Sequence, residues 1–241
     1  MQPFAIIQAR MSSTRLPGKV LMELAGRRVL DYVIDRCRRS HRRAGVLVAT
    51  TTQPEDDCIA AYAQARGIGV FRGSRDDVLE RYVQAAQTVA ADPIVRITSD
   101  CPLVEPAIID RVVDEYVASK VDFVYPTGYP RGTGDTELLS FAALQRAYVE
   151  TGRDETYYRE HVLTYHLDHL EKFTHREVVA PNAVRHAARL CVDEPADLAV
   201  VRAICGHFAP RMDFTLAEVL GFLEEHPEIA AINREVRQKT Q

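Results

Sequence analysis

Three cationic side chains, three hydroxyls and a glycine lie within ten consecutive residues near the start of the sequence. The stretch reads R-M-S-S-T-R-L-P-G-K, and its polar side chains and glycine are Arg10, Ser12, Ser13, Thr14, Arg15, Gly18 and Lys19. Such a loop can neutralise a polyphosphate and donate many hydrogen bonds to it. The sequence has neither the glycine spacing of a Walker A loop nor that of a dinucleotide fingerprint. A solvated basic loop is the alternative, but the position directly after a predicted first strand favours phosphate binding.

Two aspartates each follow a predicted strand and carry the oxygen ligands that Mg²⁺ prefers. Asp100 stands in T-S-D-C-P, and Asp193 stands in V-D-E-P much later in the chain. Open parallel sheets bind ligands at the carboxyl ends of their strands, and a carboxylate there can hold Mg²⁺ beside nucleotide phosphates. From the residues themselves, Asp100 is also typical of a turn, and Asp193 of a helix N-cap before Pro195.

Hydrophobic periodicity divides the first half of the chain into alternating strands and helices. Strands are predicted at 4–9, 46–50, 70–71, 94–98 and 121–125, and helices at 29–38, 56–66, 76–90 and 106–119. This alternation predicts an α/β fold with a mostly parallel open sheet flanked by helices.

The pattern changes after Pro126. A loop is predicted at 126–135, followed by an edge-like strand at 136–140, helices near 141–150 and 156–170, and strands near 174–179 and 189–192. The tail is predicted to be helical at 195–207, at 216–225 and from 228 to about 238. We therefore expect a single domain over residues 1–241, with a small inserted α+β lobe at 126–190 and a helical tail at 208–241.

Composition restricts the classes of partner. The formal net charge is −4, which argues against general binding to nucleic acids or acidic membranes. There is no apolar run of transmembrane length and no signal-peptide pattern at the start, so we expect a cytoplasmic protein. The five cysteines are scattered without a C-x-x-C pair, which favours buried thiols over a zinc or redox site.

The run I-Q-A-R-M-S-S-T-R-L-P-G-K-V-L at 7–21 closely resembles the opening of the CMP-sugar synthase superfamily, and most closely its spore-coat polysaccharide (SpsF) branch of cytidylyltransferases. The resemblance covers roughly residues 4–205 and continues at V-A-T-T (48–51), F-R-G-S (71–74), V-R-I-T-S-D-C-P-L (95–103), R-E-H-V (159–162) and V-D-E-P-A-D-L (192–198). It implies a Rossmann-like nucleotide-diphospho-sugar transferase fold. It also implies transfer of CMP from CTP to an acidic sugar or a similar small acceptor, with release of pyrophosphate.

The same resemblance gives roles to individual residues. It implies catalysis by Arg10, Arg15, Lys19 and Asp100, and binding of a Mg²⁺ cofactor by Asp100 and Asp193. The implied nucleotide-binding residues are Ala9, Arg10, Ser12, Ser13, Thr14, Arg15, Lys19, Arg72, Gly73, Ser74, Asp77 and Arg81. For Asp77 and Arg81, an i,i+4 pair on a helix surface is the alternative. Where the family usually has glycine before the metal-binding aspartate, this chain has Ser99.

A glycine-rich loop from Tyr125 to Glu137 is expected to face the acceptor, because binding loops sit on rigid scaffolds. The SpsF branch commonly shows a P-x-G-x-D-x-E pattern here, which this chain matches with one extra residue. The predicted acceptor-binding residues are Tyr129, Arg131, Asp135, Glu137 and His161. His161, His166 and His169 lack zincin spacing, so packing or a place beside the acceptor is favoured over metal binding. A homodimer fits the family.

Two other functions compete with this hypothesis. A glycosyltransferase of related fold would bind a nucleotide sugar through a D-x-D metal motif, whereas this sequence has S-D-C at 99–101. A non-catalytic nucleotide-binding protein would be favoured if Lys19, Asp100 or Asp193 were missing, and all three are present. The sequence therefore favours a Mg²⁺-dependent CTP:acceptor cytidylyltransferase.

Overall fold

Seven strands form the central sheet of the computed structural model, which describes residues 3–43 and 45–237. In chain order the strands are β1 (Phe4–Gln8), β2 (Glu23–Leu24), β3 (Arg27–Arg28), β4 (Gly45–Thr51), β5 (Gly69–Gly73), β6 (Ile94–Thr98), β7 (Phe123–Thr127), β8 (Thr136–Leu139) and β9 (His175–Val179). The order across the sheet is β5-β4-β1-β6-β8-β7-β9, and β2 and β3 form a separate hairpin. The predicted α/β fold is confirmed.

Strand β8 is the exception in an otherwise parallel arrangement. β1 pairs in parallel with β4 and β6, and β9 pairs in parallel with β7, whereas β8 is antiparallel to both of its neighbours. The expected edge position of 136–140 is therefore wrong, because β8 lies between β6 and β7. Residues 126–190 thus supply two strands to the main sheet, and these strands do not form a lobe apart from it.

Helices cover both faces of the sheet. They are α1 (Val29–Arg39), α2 (Asp57–Ala65), α3 (Val78–Thr88), α4 (Pro106–Ser119), α5 (Phe141–Glu150), α6 (Thr156–Glu160), α7 (Thr164–Asp168), α8 (Pro195–Phe208), α9 (Leu216–Glu225) and α10 (Pro227–Ala231). Alternate side chains of β1 enter opposite apolar clusters: Ala5 and Ile7 pack with α1, α4, α8 and α9, whereas Ile6 packs with α3 and α5. The packing of helices on both faces of the sheet fixes the positions of the strand ends, on which the site is built.

Three predicted elements differ from the structure. The helix expected at 156–170 breaks into α6 and α7, because His161 leaves the helical conformation (φ −108°, ψ 80°). The strand expected at 189–192 is reduced to an isolated bridge between Arg131 and Arg189. The last predicted helix ends at Ala231, and its expected end near residue 238 lies outside the described residues.

Within the two described ranges, no helix combines the length and the apolar character that crossing a bilayer requires. Four cysteines of these ranges are buried free thiols, and Cys58 is exposed. The expectation of buried free thiols is confirmed for four of the five cysteines, and Cys58 is the exception because it is exposed.

Candidate active site

A cleft of 640 Å³ opens where β1 and β6 end, and Gln8 and Thr98 at those strand ends line it. This is the edge at which open parallel sheets bind ligands. The cleft brings together many residues that the sequence predicted for the site: Ala9, Arg10, Ser13, Thr14, Arg15, Lys19, Arg81, Asp100, Arg131, Asp135, Glu137, His161 and Asp193.

Lys19 connects the basic loop with both predicted metal-binding aspartates. Its Nζ donates to Oδ2 of Asp100 at 2.7 Å and to Oδ1 of Asp193 at 2.8 Å. Lys19 is 8% exposed and Asp193 is 7% exposed, so the contact is largely shielded from water. Burial opposes the charge on Lys19, but attraction to Asp100 and Asp193 outweighs it and raises the lysine pKa. Lys19 therefore stays cationic at neutral pH.

Asp193 is held by two further cations. Arg15 lies 3.0 Å from its Oδ1, and Arg189 donates to its Oδ2 at 2.5 Å. Burial alone would raise the pKa of Asp193, but Lys19, Arg15 and Arg189 together hold that pKa well below its usual range. The carboxylate is therefore ionised at every physiological pH, as a metal ligand requires.

The helix-cap alternative for Asp193 is wrong. Glu194 is the N-cap residue of α8, and the carboxylate of Asp197 accepts from the backbone N–H groups of Asp193 and Glu194 at 3.1 Å. The Asp193 side chain is thus directed to Lys19 and the cleft. The backbone N–H of Val192 also donates to the carbonyl oxygen of Asp100 at 2.7 Å, which joins the two carboxylate-bearing segments.

The basic loop is fixed by short-range turns and by one long-range anchor. The backbone N–H of Gly18 donates to the carbonyl of Met11 at 2.9 Å, and Gly18 has a φ of 73°, in the left-handed region that favours glycine. The N–H of Met11 donates to Oδ1 of Asp56 at 2.7 Å. Arg10 reaches across the cleft to Glu160, 3.0 Å away. The loop therefore presents its cations on a fixed backbone.

The predicted nucleotide-binding residues outside the three cations of the basic loop divide into those that line the cleft and those that support it. Arg72 donates to the carbonyls of Thr51 at 2.8 Å and Gln53 at 3.1 Å, so its side chain braces the loop after β4. Ala9 and Arg81 line the cleft, whereas Arg72, Gly73, Ser74 and Asp77 do not. Ser12 borders a shallow groove beside the loop, next to Ser13 and Thr14.

Asp77 and Arg81 are not the surface pair that their spacing allowed. Asp77 caps α3 by accepting from the backbone N–H of Glu80 at 2.8 Å, and its other oxygen lies 3.0 Å from Arg159. Arg81 is 1% exposed and donates to the carbonyl of Ser74 at 2.5 Å. Arg159 thus ties α6 to the start of α3, while Arg81 sits at the cleft wall.

The predicted acceptor loop is fixed against the Asp193 segment. Gly132 has a φ of 87°, its N–H donates to Oδ2 of Asp135 at 2.6 Å, and the neighbouring Arg131 carbonyl accepts from Leu190 at 2.8 Å. Burial, reinforced by repulsion from Glu137, raises the pKa of Asp135 to about 6. A carboxyl group with that pKa can change protonation state near neutrality.

Tyr129 is not among the residues that line the cleft. Its hydroxyl accepts from Arg111 of α4, whose guanidinium also lies 5.9 Å from the tyrosine ring centre. The predicted acceptor contact for Tyr129 is therefore not supported, because this side chain is engaged with α4. The other four predicted acceptor residues line the cleft, and burial lowers the pKa of His161, which favours its neutral form.

Several lining residues were missed by sequence reasoning. Arg96 lies opposite Glu137 in the β6–β8 pairing, and their charged groups are 2.9 Å apart. A charge within the otherwise buried run I-V-R-I-T was the signal that could have identified Arg96. Gln8 and Glu160 also line the cleft, and Oε1 of Gln8 is buried without a hydrogen-bond partner among the described residues.

The donor set fits a divalent cation with oxygen ligands. Carboxylate oxygens of Asp100 and Asp193 converge on one cationic atom, Nζ of Lys19, and Asp100 keeps 27% of its side chain exposed toward solvent. Mg²⁺ takes such hard oxygen donors. A neighbouring cluster of Cys191, Asp193 and Asp197 fits less well, because burial raises the thiol pKa of Cys191 to about 12 and Asp197 already accepts from Arg189 and Asn233.

Comparison with known proteins gives consistent matches over nearly the whole chain. A family model described as cytidylyltransferase matches residues 4–224. The spore coat polysaccharide biosynthesis protein SpsF of Bacillus subtilis is 32% identical over 235 residues, which cover 95% of this chain and 97% of that protein. A solved cytidylyltransferase from Leptospira borgpetersenii has a TM-score of 0.89 at 29% identity, covering 99% of this chain and 100% of that one. A CMP:2-keto-3-deoxy-manno-octonic acid synthetase complexed with CTP shares the fold, with a TM-score of 0.66 at 20% identity over 86% of this chain and 99% of that one.

Proposed function

This chain belongs to the cytidylyltransferase family, and we propose that it transfers CMP from CTP to a small acidic sugar, with release of pyrophosphate. The observation that carries the proposal is the contact of Lys19 with both Asp100 and Asp193. A phosphate-loop cation and two carboxylates meet in a cleft of 640 Å³, a volume typical of small-molecule sites. The CTP bound to the similarly folded synthetase supports CTP as the nucleotide.

An oxygen of the acceptor attacks the α-phosphorus of CTP in this mechanism. One bond forms between that oxygen and the α-phosphorus, and the bond from the α-phosphorus to the oxygen bridging the β-phosphate breaks, so pyrophosphate leaves in line. The proton of the acceptor hydroxyl is released to solvent. Arg10, Arg15 and Lys19 stabilise the charge that grows on pyrophosphate. Ala9, Ser13, Thr14 and Arg81 shape the remaining nucleotide wall. The chain's main task is to position the reactants and neutralise charge.

Asp100 and Asp193 are the residues that would hold Mg²⁺. When bound, the ion supplies charge neutralisation on the phosphates and acidifies the acceptor hydroxyl. Arg15 and Arg189 contribute by keeping Asp193 ionised, and the backbone bond from Val192 to Asp100 keeps the two carboxylates together.

The acceptor end of the cleft combines a cation with two carboxyl groups and a neutral imidazole. Arg131 is exposed at this end and pairs with the acidic group of the acceptor. Asp135 and Glu137 accept hydrogen bonds from acceptor hydroxyls, while His161 in its neutral form can donate or accept. This arrangement suits a polyhydroxylated acid, the class to which the acidic sugars belong.

The value of kcat/KM for the acceptor is expected to fall as the pH drops below about 6, because Asp135 then takes up a proton. Its pKa is raised, so the carboxylate form persists above pH 6 and is lost below it. We expect kcat/KM for the acceptor to fall about tenfold per pH unit in that range. A pH profile of wild type and Asp135→Asn checks this, because titration of CTP itself is common to both. The interpretation is wrong if Asp135→Asn keeps the wild-type acid limb.

The test of function is pyrophosphate release from CTP, UTP, ATP and GTP with Mg²⁺, across a panel of acidic sugars and phosphonates. We expect release that requires CTP together with one acceptor and disappears in Asp100→Asn. Pyrophosphate release in the absence of any nucleotide sugar also excludes a glycosyltransferase. Absence of release with every pair, despite CTP binding, would overturn catalysis in favour of a nucleotide-binding role.

A further inference from the structure

The Asp100–Asp193 carboxylate pair carries its own counter-ion. Nζ of Lys19 lies 2.7 Å from one carboxylate and 2.8 Å from the other, so a single ammonium bridges them. We propose that Lys19 is an internal cation which a divalent metal must displace, so that the metal binds this pair strongly only when a triphosphate draws Lys19 away. The inference rests on the proposed function, because the triphosphate is that of the CTP substrate proposed above.

Local charge explains why a metal without a nucleotide is disfavoured. Asp193 contacts Lys19, Arg15 and Arg189, whereas the described side-chain contacts of the Asp100 carboxylate are Lys19 and the thiol of Cys101. A divalent ion that enters alone must push the lysine ammonium off both carboxylates. Because Lys19 is 8% exposed, the displaced ammonium would lose its partners with little access to water, close to a second cation.

A triphosphate removes that obstacle. Lys19 follows Gly18 directly and begins a short 3₁₀ helix at the end of the basic loop, four residues after Arg15. Phosphate oxygens bound at this loop offer the ammonium new anionic partners when it leaves the aspartates. The carboxylates are then free to bind the metal, and the Lys19 ammonium group pairs with the phosphates of the nucleotide.

Binding of metal and nucleotide is therefore coupled in both directions. Linkage requires that if the nucleotide raises metal affinity, the metal raises nucleotide affinity by the same factor. Both ligands act on the position of the Lys19 ammonium group, because this group cannot pair with the aspartates and with the phosphates at the same time. This differs from a fixed phosphate-binding lysine, whose removal would leave metal affinity unchanged.

The test is a titration with Mn²⁺ alone, without nucleotide, in which the electron paramagnetic resonance signal of the free aquo ion is followed. Wild type, Lys19→Met and Arg10→Met are compared. We expect Lys19→Met to bind Mn²⁺ more tightly than wild type by on the order of tenfold or more, because an adjacent unit charge is removed. Arg10→Met removes the same charge from the same cleft, but the partner of Arg10 is Glu160, so its Mn²⁺ affinity is expected to stay at the wild-type value.

A double variant assigns the gain to the correct carboxylate. Lys19→Met combined with Asp100→Asn is expected to lose the extra Mn²⁺ affinity. Equal or weaker Mn²⁺ binding by Lys19→Met overturns the proposal, as does a matching gain in Arg10→Met. Lys19→Gln replaces Lys19→Met if circular dichroism shows that the latter is unfolded. The titration involves no turnover, so failure of the pyrophosphate assay and failure of this inference are separate results.

Discussion

Lys19→Ala is expected to lower kcat by at least about a hundred-fold while the protein stays folded, because a donor to the leaving pyrophosphate is lost. The substitution also leaves Asp100 without its ion-pair partner, whereas Asp193 keeps Arg15 and Arg189. The measurement is steady-state pyrophosphate release at saturating CTP and acceptor, with circular dichroism to confirm folding.

Lys120→Ala is the matched control for this loss. Lys120 is an exposed lysine at the end of α4, and its replacement removes the same charge from the chain. We expect wild-type turnover from this variant. Turnover of Lys19→Ala within a few-fold of Lys120→Ala would contradict the role given to Lys19 in the chemical step.

Gly132→Ala is expected to disable the acceptor loop. A Cβ at this position would lie 2.4 Å from the backbone nitrogen of Cys191 and 2.6 Å from the carbonyl carbon of Leu190, neither of which can move like a side-chain end. We expect a stability loss of roughly 2–4 kcal/mol and at least about a hundred-fold lower kcat/KM for the acceptor. Affinity for CTP changes much less, because the basic loop is held by other contacts. Urea unfolding, acceptor kinetics and CTP calorimetry measure the three quantities.

Gly128→Ala separates backbone strain from the steric clash. Gly128 also has a positive φ, of 75°, but its nearest neighbour to an added Cβ is a side-chain atom 3.5 Å away. We expect a cost of roughly 1–2 kcal/mol from the left-handed backbone, with acceptor kinetics close to wild type. Equal kinetic effects of the two substitutions would show that the close approach of the loop to Cys191 is unimportant.

Local sequence signals predicted individual elements well. The helix predicted at 106–119 is α4, which starts with Pro106 as expected for a first-turn proline, and the strand predicted at 94–98 is β6. These predictions succeed because periodicity and helix-start residues act over a few positions. Family resemblance implied that Asp100 and Asp193 act together, but their contact with Lys19 was not predicted. Local spacing carries no information about contacts 81 and 174 positions apart.

Long-range placement was the part that local reasoning could not supply. The position of β8 between β6 and β7 depends on which strand edges are free when the chain folds, and Thr136 to Leu139 have no local feature that specifies it. Tyr129 was placed at the acceptor because of its loop, but its contact with Arg111 depends on how α4 packs beside that loop. The homodimer and the binding of Mg²⁺ stay predictions.

The hydrogen bond from Val192 to the carbonyl of Asp100 has a consequence for biosynthesis. During translation the phosphate loop and Asp100 leave the ribosome long before Asp193, which belongs to the segment that completes the carboxylate pair. A nascent chain therefore carries a basic loop and a carboxylate that cannot yet form the finished centre. The proposed active site is therefore complete only after the C-terminal third, which carries both β9 and Asp193, has been synthesised and packed with the rest of the sheet.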